Sequence, residues 1–402
     1  MEVRTQMFED LKNKAQKQHS EVVELRRFFH MHPEVAWKEE NTTKKVAELL
    51  RDYGCENIIT GFGNTSCGVT AEIVGTSPGP CVALRADMDA LPLQEENEVD
   101  YKSQNPGVMH ACGHDAHTAM LLGAAKVLSG MKDSLKGKVR LIFQPAEEHG
   151  LISGADHMIK EGVLEGVDVI CGLHVWSPLQ SGKIAVRSGS FMAACDAWEA
   201  EIRGKGGHGS APHMAEDPTI PASHVILALQ SIVGRDVDPL ETAVISTGKM
   251  EAGSAFNIIP ERVQLLGTCR SFNPKVQDEI EEKIGSIVNG IAGSFNCTAE
   301  YKYTRYVPPT INDPKAADLV RNIAEKVAGE DNVETAEMVM GSEDFSYYQK
   351  EVPGVFFFLG AGNQDKGTDN PHHSPRFNVD EDILAFGVQM LAGFALSWGD
   401  LS

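Results

Sequence analysis

The chain has 402 residues, 42% of them hydrophobic and 23% charged, with a formal net charge of −21 at pH 7. This length suggests two domains rather than one core, and the composition is that of a globular protein. The acidic balance repels phosphate backbones and anionic lipid surfaces, so nucleic acid is not an expected partner; nor does the chain contain the roughly 18 consecutive apolar residues of a membrane span.

The opening MEVRTQMFEDLKNKAQKQ is charged and helical in pattern, without the apolar segment of a secretory leader, so the expected location is the cytoplasm. SEVVELRRFFHMH and TTKKVAELLRDYG also show helical spacing, the second ending at Gly54, a helix-terminating residue. Short apolar runs then read as buried strands, CVALRAD, KVRLIFQ and VDVICGLHV, with the run VDVICGL of the last ending at His174. Helical segments lie between or beside them, AHTAMLLGAAKVLSG and SGADHMIKEGV. Strands alternating with helices imply a sheet that is at least partly parallel and covered on both faces.

From Arg187 the texture changes. CDAWEAEIRG reads as a strand, TIPASHVILALQSIVG as a helix, and ETAVISTGKMEA and ERVQLLGTCRSF as two more strands. KVQDEIEEKIGSIVNGIAGSF places Val276, Ile280, Ile284, Ile287, Val288 and Ile291 on one helical face. CTAEYKYTRYV closes the set as a strand, giving the order of a split βαβ, ferredoxin-like unit. Pro308-Pro309 ends it, and α/β texture resumes through PGVFFFLGAG and an amphipathic C-terminal helix, DILAFGVQMLAGFALSW. The expected architecture is α/β: residues 1–186 and 308–402 form one discontinuous domain with a helix-covered mixed sheet, and 187–307 an inserted α+β domain.

Ligands in open α/β sheets collect beyond the carboxyl ends of the strands. CVALRAD leads to Asp87-Met88-Asp89, KVRLIFQ runs into Pro145-Ala146-Glu147-Glu148, and NPHHSPRF follows the strand GVFFFLG. MHACGHDAH, Met109 to His117, lies just before a helix and combines three imidazoles, a carboxylate and the thiol of Cys112. Taken singly, Asp-x-Asp is a common turn, paired glutamates a solvated face, and a lone histidine a core residue. Cys112-x-His114 is more pointed, because thiolate and imidazole are preferred ligands of zinc-like ions. Five distant segments converging on one rim are stronger than any single motif. The other seven cysteines, Cys55, Cys67, Cys81, Cys171, Cys195, Cys269 and Cys297, sit mostly among apolar residues and read as small core residues of a reducing compartment.

FHMHPEVAWKEENTT, MHACGHDAH, QPAEE, GLHV, GKGGHGSAPH, AFNIIPE, GSEDF and HHSP occur in that order. With them the chain resembles the M20 metallopeptidases, in the amidohydrolase branch of hippurate hydrolases, indole-acetyl-amino-acid hydrolases and N-acyl-amino-acid deacylases. The resemblance spans nearly the whole chain. It implies a zinc-peptidase-like catalytic domain, an inserted lid or dimerisation domain, and a homodimer or higher homo-oligomer. It also implies two divalent ions (zinc, manganese, cobalt or nickel) held by Cys112, His114, Glu148, His174 and His373, with Cys112 bridging. Glu147 matches the general base and Asp89 a carboxylate orienting a ligand imidazole. The wider family carries His at Asp87 and Asp at Cys112; here His114 supplies the imidazole. His208 matches the oxyanion-stabilising histidine, contributed in many members by the partner subunit, and Asn257 is a candidate for substrate binding. His372 reads as a neighbour of the site, His30 and His32 as structural, and Arg187 and Arg270 as surface residues.

The implied reaction is amide hydrolysis of an N-acyl or aryl-acyl amino acid to a carboxylic acid and a free amino acid, with a dipeptidase or carboxypeptidase activity as the alternative. Two rival readings make different demands. A cysteine hydrolase would use Cys112 as nucleophile with His114 or His110 as base and need no metal. A metal-holding protein without chemistry would have no use for Glu147 beside its ligands.

Overall fold

The computed structural model describes residues 2–150 and 152–401. The chain divides into two compact units, Met1–Gly189 with Ile311–Glu337 and Asp344–Ser402, and Ser190–Thr310 with Met338–Glu343.

The first unit is built on an eight-stranded mixed sheet. Across it the strands run Glu56–Thr60, Val69–Val74, Lys136–Gln144, Ser77–Asp87, Val169–Gln180, Gly354–Gly362, Ile184–Val186 and Val333–Thr335. The four central strands, from Lys136–Gln144 to Gly354–Gly362, pair parallel. Their apolar runs are continuous because both faces are covered: every residue of Gly354–Gly362 is buried, as are Cys81–Asp87. The helix His114–Ser129 packs against Glu2–Met31 and Leu384–Trp398. It is buried from His114 to Ala125, an element apolar on all sides because it runs through the core. Gly54 (φ 73°) takes over the end of Glu40–Asp52, its N–H donating to Arg51 O.

One boundary differs from expectation in a way that matters. The strand carrying His174 does not end there but continues to Gln180, because it stays paired with Gly354–Gly362 (His174 opposite Phe358). On its other side, pairing with Ser77–Asp87 stops at Gly172. His174 therefore stands inside its own strand, yet past the last rung it shares with that neighbour.

The second unit has the order strand Cys195–Arg203, helix Thr219–Ser231, strands Ala243–Ala252 and Arg262–Ser271, helix Pro274–Ser294 and strand Thr298–Val307. Its four-stranded sheet is antiparallel throughout, in the spatial order Ala243–Ala252, Arg262–Ser271, Cys195–Arg203, Thr298–Val307. This is the ferredoxin-like arrangement. Alternation decides the faces: Trp198, Ala200 and Ile202 point into the core with Val225, Leu229, Ile280, Ile284 and Val288, while Ile287 and Ile291 are only partly buried. The buried Asp196 on the same face is satisfied by Gln277 Nε2 and Tyr303 Oη. Segment Met338–Glu343 returns to this unit, where Ala193 N donates to Val339 O and Gly341 O.

All eight cysteines are free thiols, and among the described residues no helix is long and apolar enough to cross a membrane.

One surface cluster gives a pH signature. Although burial opposes ionisation of Glu72, its contacts with Lys138, Arg140 and Asn57 hold its pKa down at about 2. A depressed carboxyl stabilises the fold above its unfolded-state value of about 4.3, and that contribution is lost as pH falls toward 2. Urea denaturation should show wild type more stable than Glu72→Gln at pH 6, with the gap closing between about pH 4 and pH 2.

Candidate metal centre

The rim of the large sheet gathers side chains from separate segments of the first unit. MHACGHDAH is shaped by Gly113. Its φ of 93° is left-handed, and a Cβ there would lie 2.3 Å from Val175 Cγ2. The residue thus lets the chain pass against the Val169–Gln180 strand before turning into the helix that begins at His114. Cys112 and His114 flank it. Cys112 Sγ lies 3.5 Å from His174 Nε2. His174 Nδ1–H donates to Val175 O at 2.6 Å, which leaves Nε2 as the lone-pair nitrogen facing the sulfur.

On the other side of the sulfur, Glu148 Oε1 lies 3.2 Å from His373 Nε2. His373 itself sits at φ 63°, its N–H donating to Ala111 O. Ligand-type atoms of Cys112, His114 and His174 all lie within 4.8 Å of one another, and so do those of Cys112, Glu148 and His373. Cys112 belongs to both triplets. His114, Glu147 and Glu148 form a further such group.

The electrostatics of these groups are those of a cation site. Burial and the nearby Glu148, Glu147 and Asp87 drive the Cys112 thiol well above its ordinary value. Burial alone would neutralise His114, yet Asp87, Asp89 and Glu148 outweigh it and push its pKa up to about 10. His174 is held neutral by burial and by neighbouring His117 and His372. His114 Nε2 is buried without a hydrogen-bond partner, while His114 Nδ1 and Glu148 Oε1 have only the looser ion-pair contacts with Asp89 and His373. Buried polar atoms left in that state are costly unless something of opposite charge meets them, and soft sulfur with imidazole and carboxylate is a donor set for divalent zinc-like ions. The residues fit a metal pair.

Side chains around these groups are tied into hydrogen bonds of their own. His117 Nδ1–H donates to Asp87 Oδ1 at 2.6 Å and its Nε2 accepts from Val175 N–H, so both nitrogens are used. Asp87 also accepts from Arg85 Nη1. Arg85 and Gln144 in turn hold Asp344 of GSEDF, which accepts from Ser153 Oγ as well. The signal for this network was the lone arginine inside the apolar run CVALRAD, since a buried guanidinium requires anions.

Asp89 does more than orient an imidazole. Its Oδ1 lies 3.4 Å from His114 Nδ1, but its two oxygens also accept the backbone N–H groups of Glu147 (3.0 Å) and Glu148 (2.9 Å). One carboxylate thus fixes a ligand ring and the turn that carries both glutamates. His372 is stacked on Trp176, accepts at Nε2 from Ser177 N–H, and places Nδ1 3.9 Å from Cys112 Sγ. His174 Nε2 thus approaches the sulfur more closely than His372 Nδ1 does. His30 is structural as expected, a buried ring between Asp115 and Glu95, and His32 Nδ1–H donates to Phe28 O. Arg187 donates to Ala336 O, and Arg270 to Thr268 Oγ1 and Cys269 O.

His208 and Asn257 lie in the second unit. There His208 pairs with Ile258 in a two-residue ladder, and Asn257 O accepts from Gly209 N–H. His208 is exposed, and its Nδ1 accepts from Ser210 N–H, leaving Nε2 as the proton-bearing nitrogen of the neutral ring.

With this geometry in place, comparison with known proteins is decisive. The model of peptidase family M20/M25/M40 matches residues 83–397. The chain belongs to this family. It is a hydrolase of amide bonds, as its relatives are. It is 42% identical over 395 residues to the thermostable carboxypeptidase 1 of Saccharolobus solfataricus, covering 98% of this chain and 99% of the relative. It is 41% identical over 364 residues to the N-acetyl-L-cysteine deacetylase of Bacillus subtilis, covering 90% and 85%. The crystal structure of the Bacillus subtilis YXEP protein, described as a dinuclear metal binding peptidase from the M20 family, superposes with a TM-score of 0.85 at 35% identity, covering 96% and 99%.

The close passage at Gly113 has a measurable consequence. Gly113→Ala should lower unfolding free energy by at least ~2 kcal/mol, combining a left-handed φ with a clash. Gly367→Ala, at φ 67° with nothing within 4 Å of the added carbon, should cost only about 1 kcal/mol. Parallel urea titrations of the two variants check the difference.

Proposed function

We propose that this enzyme removes the acyl group from N-acyl amino acids, releasing a carboxylic acid and the free amino acid. In this reading Cys112, His114, Glu148, His174 and His373 would hold two divalent ions, Cys112 belonging to both three-donor groups. The observation that carries it is the pair of three-donor groups meeting at one sulfur, with Glu147 beside them on a turn held by Asp89. Relatives named for N-acetyl-L-cysteine and indole-acetyl (IAA) amino acids support the substrate class.

Bound divalent metal lowers the pKa of water from about 15.7 toward 7 and polarises a carbonyl oxygen. Glu147 takes the proton from the attacking water and passes it to the leaving amine; positioned proton transfer of this kind contributes about 10²–10⁴-fold. The Nε2–H of His208, fixed as the donor by Ser210, stabilises the tetrahedral oxyanion. Asn257, whose carbonyl oxygen accepts from Gly209 N–H beside His208, contacts the substrate. Asp89 keeps His114 and the two glutamates in register.

A homodimer is part of the proposal. Strand Ala243–Ala252 is an unpaired sheet edge in the second unit, and Ile220, Leu227, Leu240, Phe256 and Ile258 are exposed there. The eight free thiols suit a reducing cytoplasm.

Glu147→Gln should reduce turnover of an N-acetyl or N-benzoyl amino acid at least 10²-fold while metal content stays at the wild-type level. Retained turnover would remove Glu147 as the base, and activity that survives thorough chelation would remove the metal reading. In the same assay, a preference for dipeptides over N-acyl amino acids would make the enzyme a carboxypeptidase or dipeptidase. His208→Ala should lower kcat about 10²–10³-fold without changing metal content.

A further inference from the structure

The early segment FHMHPEVAWKEENTT contributes none of the proposed donors, yet it reaches the site through Glu39. We infer that Glu39 is a positioning residue for the proposed general base, holding the turn Pro145–Glu148 in a left-handed conformation at Ala146. This rests on the reading of Glu147 given above.

Glu39 occupies the N-cap position of helix Glu40–Asp52, but its side chain makes no capping hydrogen bond. Glu34 does that work instead, its two oxygens accepting from Asn41 N, Thr42 N and Thr42 Oγ1. Relieved of capping, the Glu39 carboxyl is fully buried, and Oε1 accepts the Ala146 N–H at 2.8 Å. Oε2 has no well-formed hydrogen bond. A buried carboxyl needs its hydrogen bonds; beside the Cys67 thiol, the firm one at Oε1 comes from the residue preceding Glu147.

Ala146 needs such an anchor. It is buried, and its φ of 53° lies where an L side chain is disfavoured by about 1–2 kcal/mol. The backbone on either side is held too: Gly154 N donates to Ala146 O at 3.2 Å, and Glu147 N and Glu148 N donate to Asp89. Two buried carboxyls, Glu39 and Asp89, therefore take three consecutive N–H groups. Without the first of these bonds, Ala146 can relax toward an ordinary φ. Glu147 then moves, although nothing that touches substrate has been altered.

The test is kcat, KM and metal content for four proteins: Glu39→Ala, Glu39→Gln, Glu39→Ala/Ala146→Gly, and Glu147→Gln as a control. Glu39→Ala should lose roughly 10–100-fold in kcat at near-constant KM, the scale of a small misplacement of a reacting group. Glu39→Gln keeps an acceptor for Ala146 N–H and should stay within about threefold of wild type. Adding Ala146→Gly removes the left-handed penalty and should recover a large part of the lost kcat, which a general loss of stability would not do. Wild-type kcat in Glu39→Ala overturns the inference, as does Glu39→Gln failing as badly as Glu39→Ala, which would give the carboxyl a proton-transfer role. If Glu39→Ala does not fold, Glu39→Gln still decides: near-wild-type kcat supports anchoring, and a large loss gives the carboxyl a proton-transfer role. Full activity in Glu147→Gln would instead overturn the functional reading on which the inference rests.

Discussion

Surplus negative charge at the rim of the large sheet is the constraint on which the rest of the first unit depends. Asp87, Asp89, Glu147 and Glu148 crowd around the Cys112 thiol and His114. Unscreened charge of one sign inside a protein is costly. The fold answers part of it with its own cations: Arg85 meets Asp87 and Asp344, and Arg26 with His30 meets Asp115. What remains is concentrated on the two donor triplets that share the sulfur. The same surplus that drives the thiol pKa up and His114 to about 10 is charge that a divalent cation would offset. It also makes Cys112 a poor free nucleophile, since a thiol so surrounded resists ionisation.

The sheet makes this concentration structurally tolerable. Parallel strands deliver Asp87 and the Pro145–Glu148 turn to one edge, while continued pairing with Gly354–Gly362 carries His174 past the end of its other neighbour. Polar side chains at this edge are held through backbone contacts. Asp89 takes two N–H groups of the glutamate turn, and Val175 supplies an acceptor to His174 and a donor to His117. Side chains held in this way need little reorganisation for binding and catalysis.

Much of this was legible in the chain. Buried parallel strands announce themselves as unbroken apolar runs, so CVALRAD, KVRLIFQ and GVFFFLG could be read along with the residues at their ends. The alternation in CDAWEAEIRG marked the second sheet. Short strands were not legible: Ile184–Val186 and Val333–Thr335 have three residues each and pair with one another across a long stretch of chain, and Glu56–Thr60 is mostly exposed. Donor residues could be grouped because metal chemistry demands particular side chains. Glu39 and the fuller role of Asp89 could not, since each acts on backbone N–H groups that carry no residue signature. KEEN reads as a solvated charge run until the fold buries its first glutamate, Glu39.

The central claim is that one cysteine sulfur joins two metal sites. Titrating metal-free protein with Co²⁺ while following the near-ultraviolet thiolate-to-cobalt band tests it directly. The account predicts saturation at two ions per chain, with the band present in wild type and absent in Cys112→Ser. Saturation at one ion, or a spectrum without the thiolate band in wild type, would contradict it.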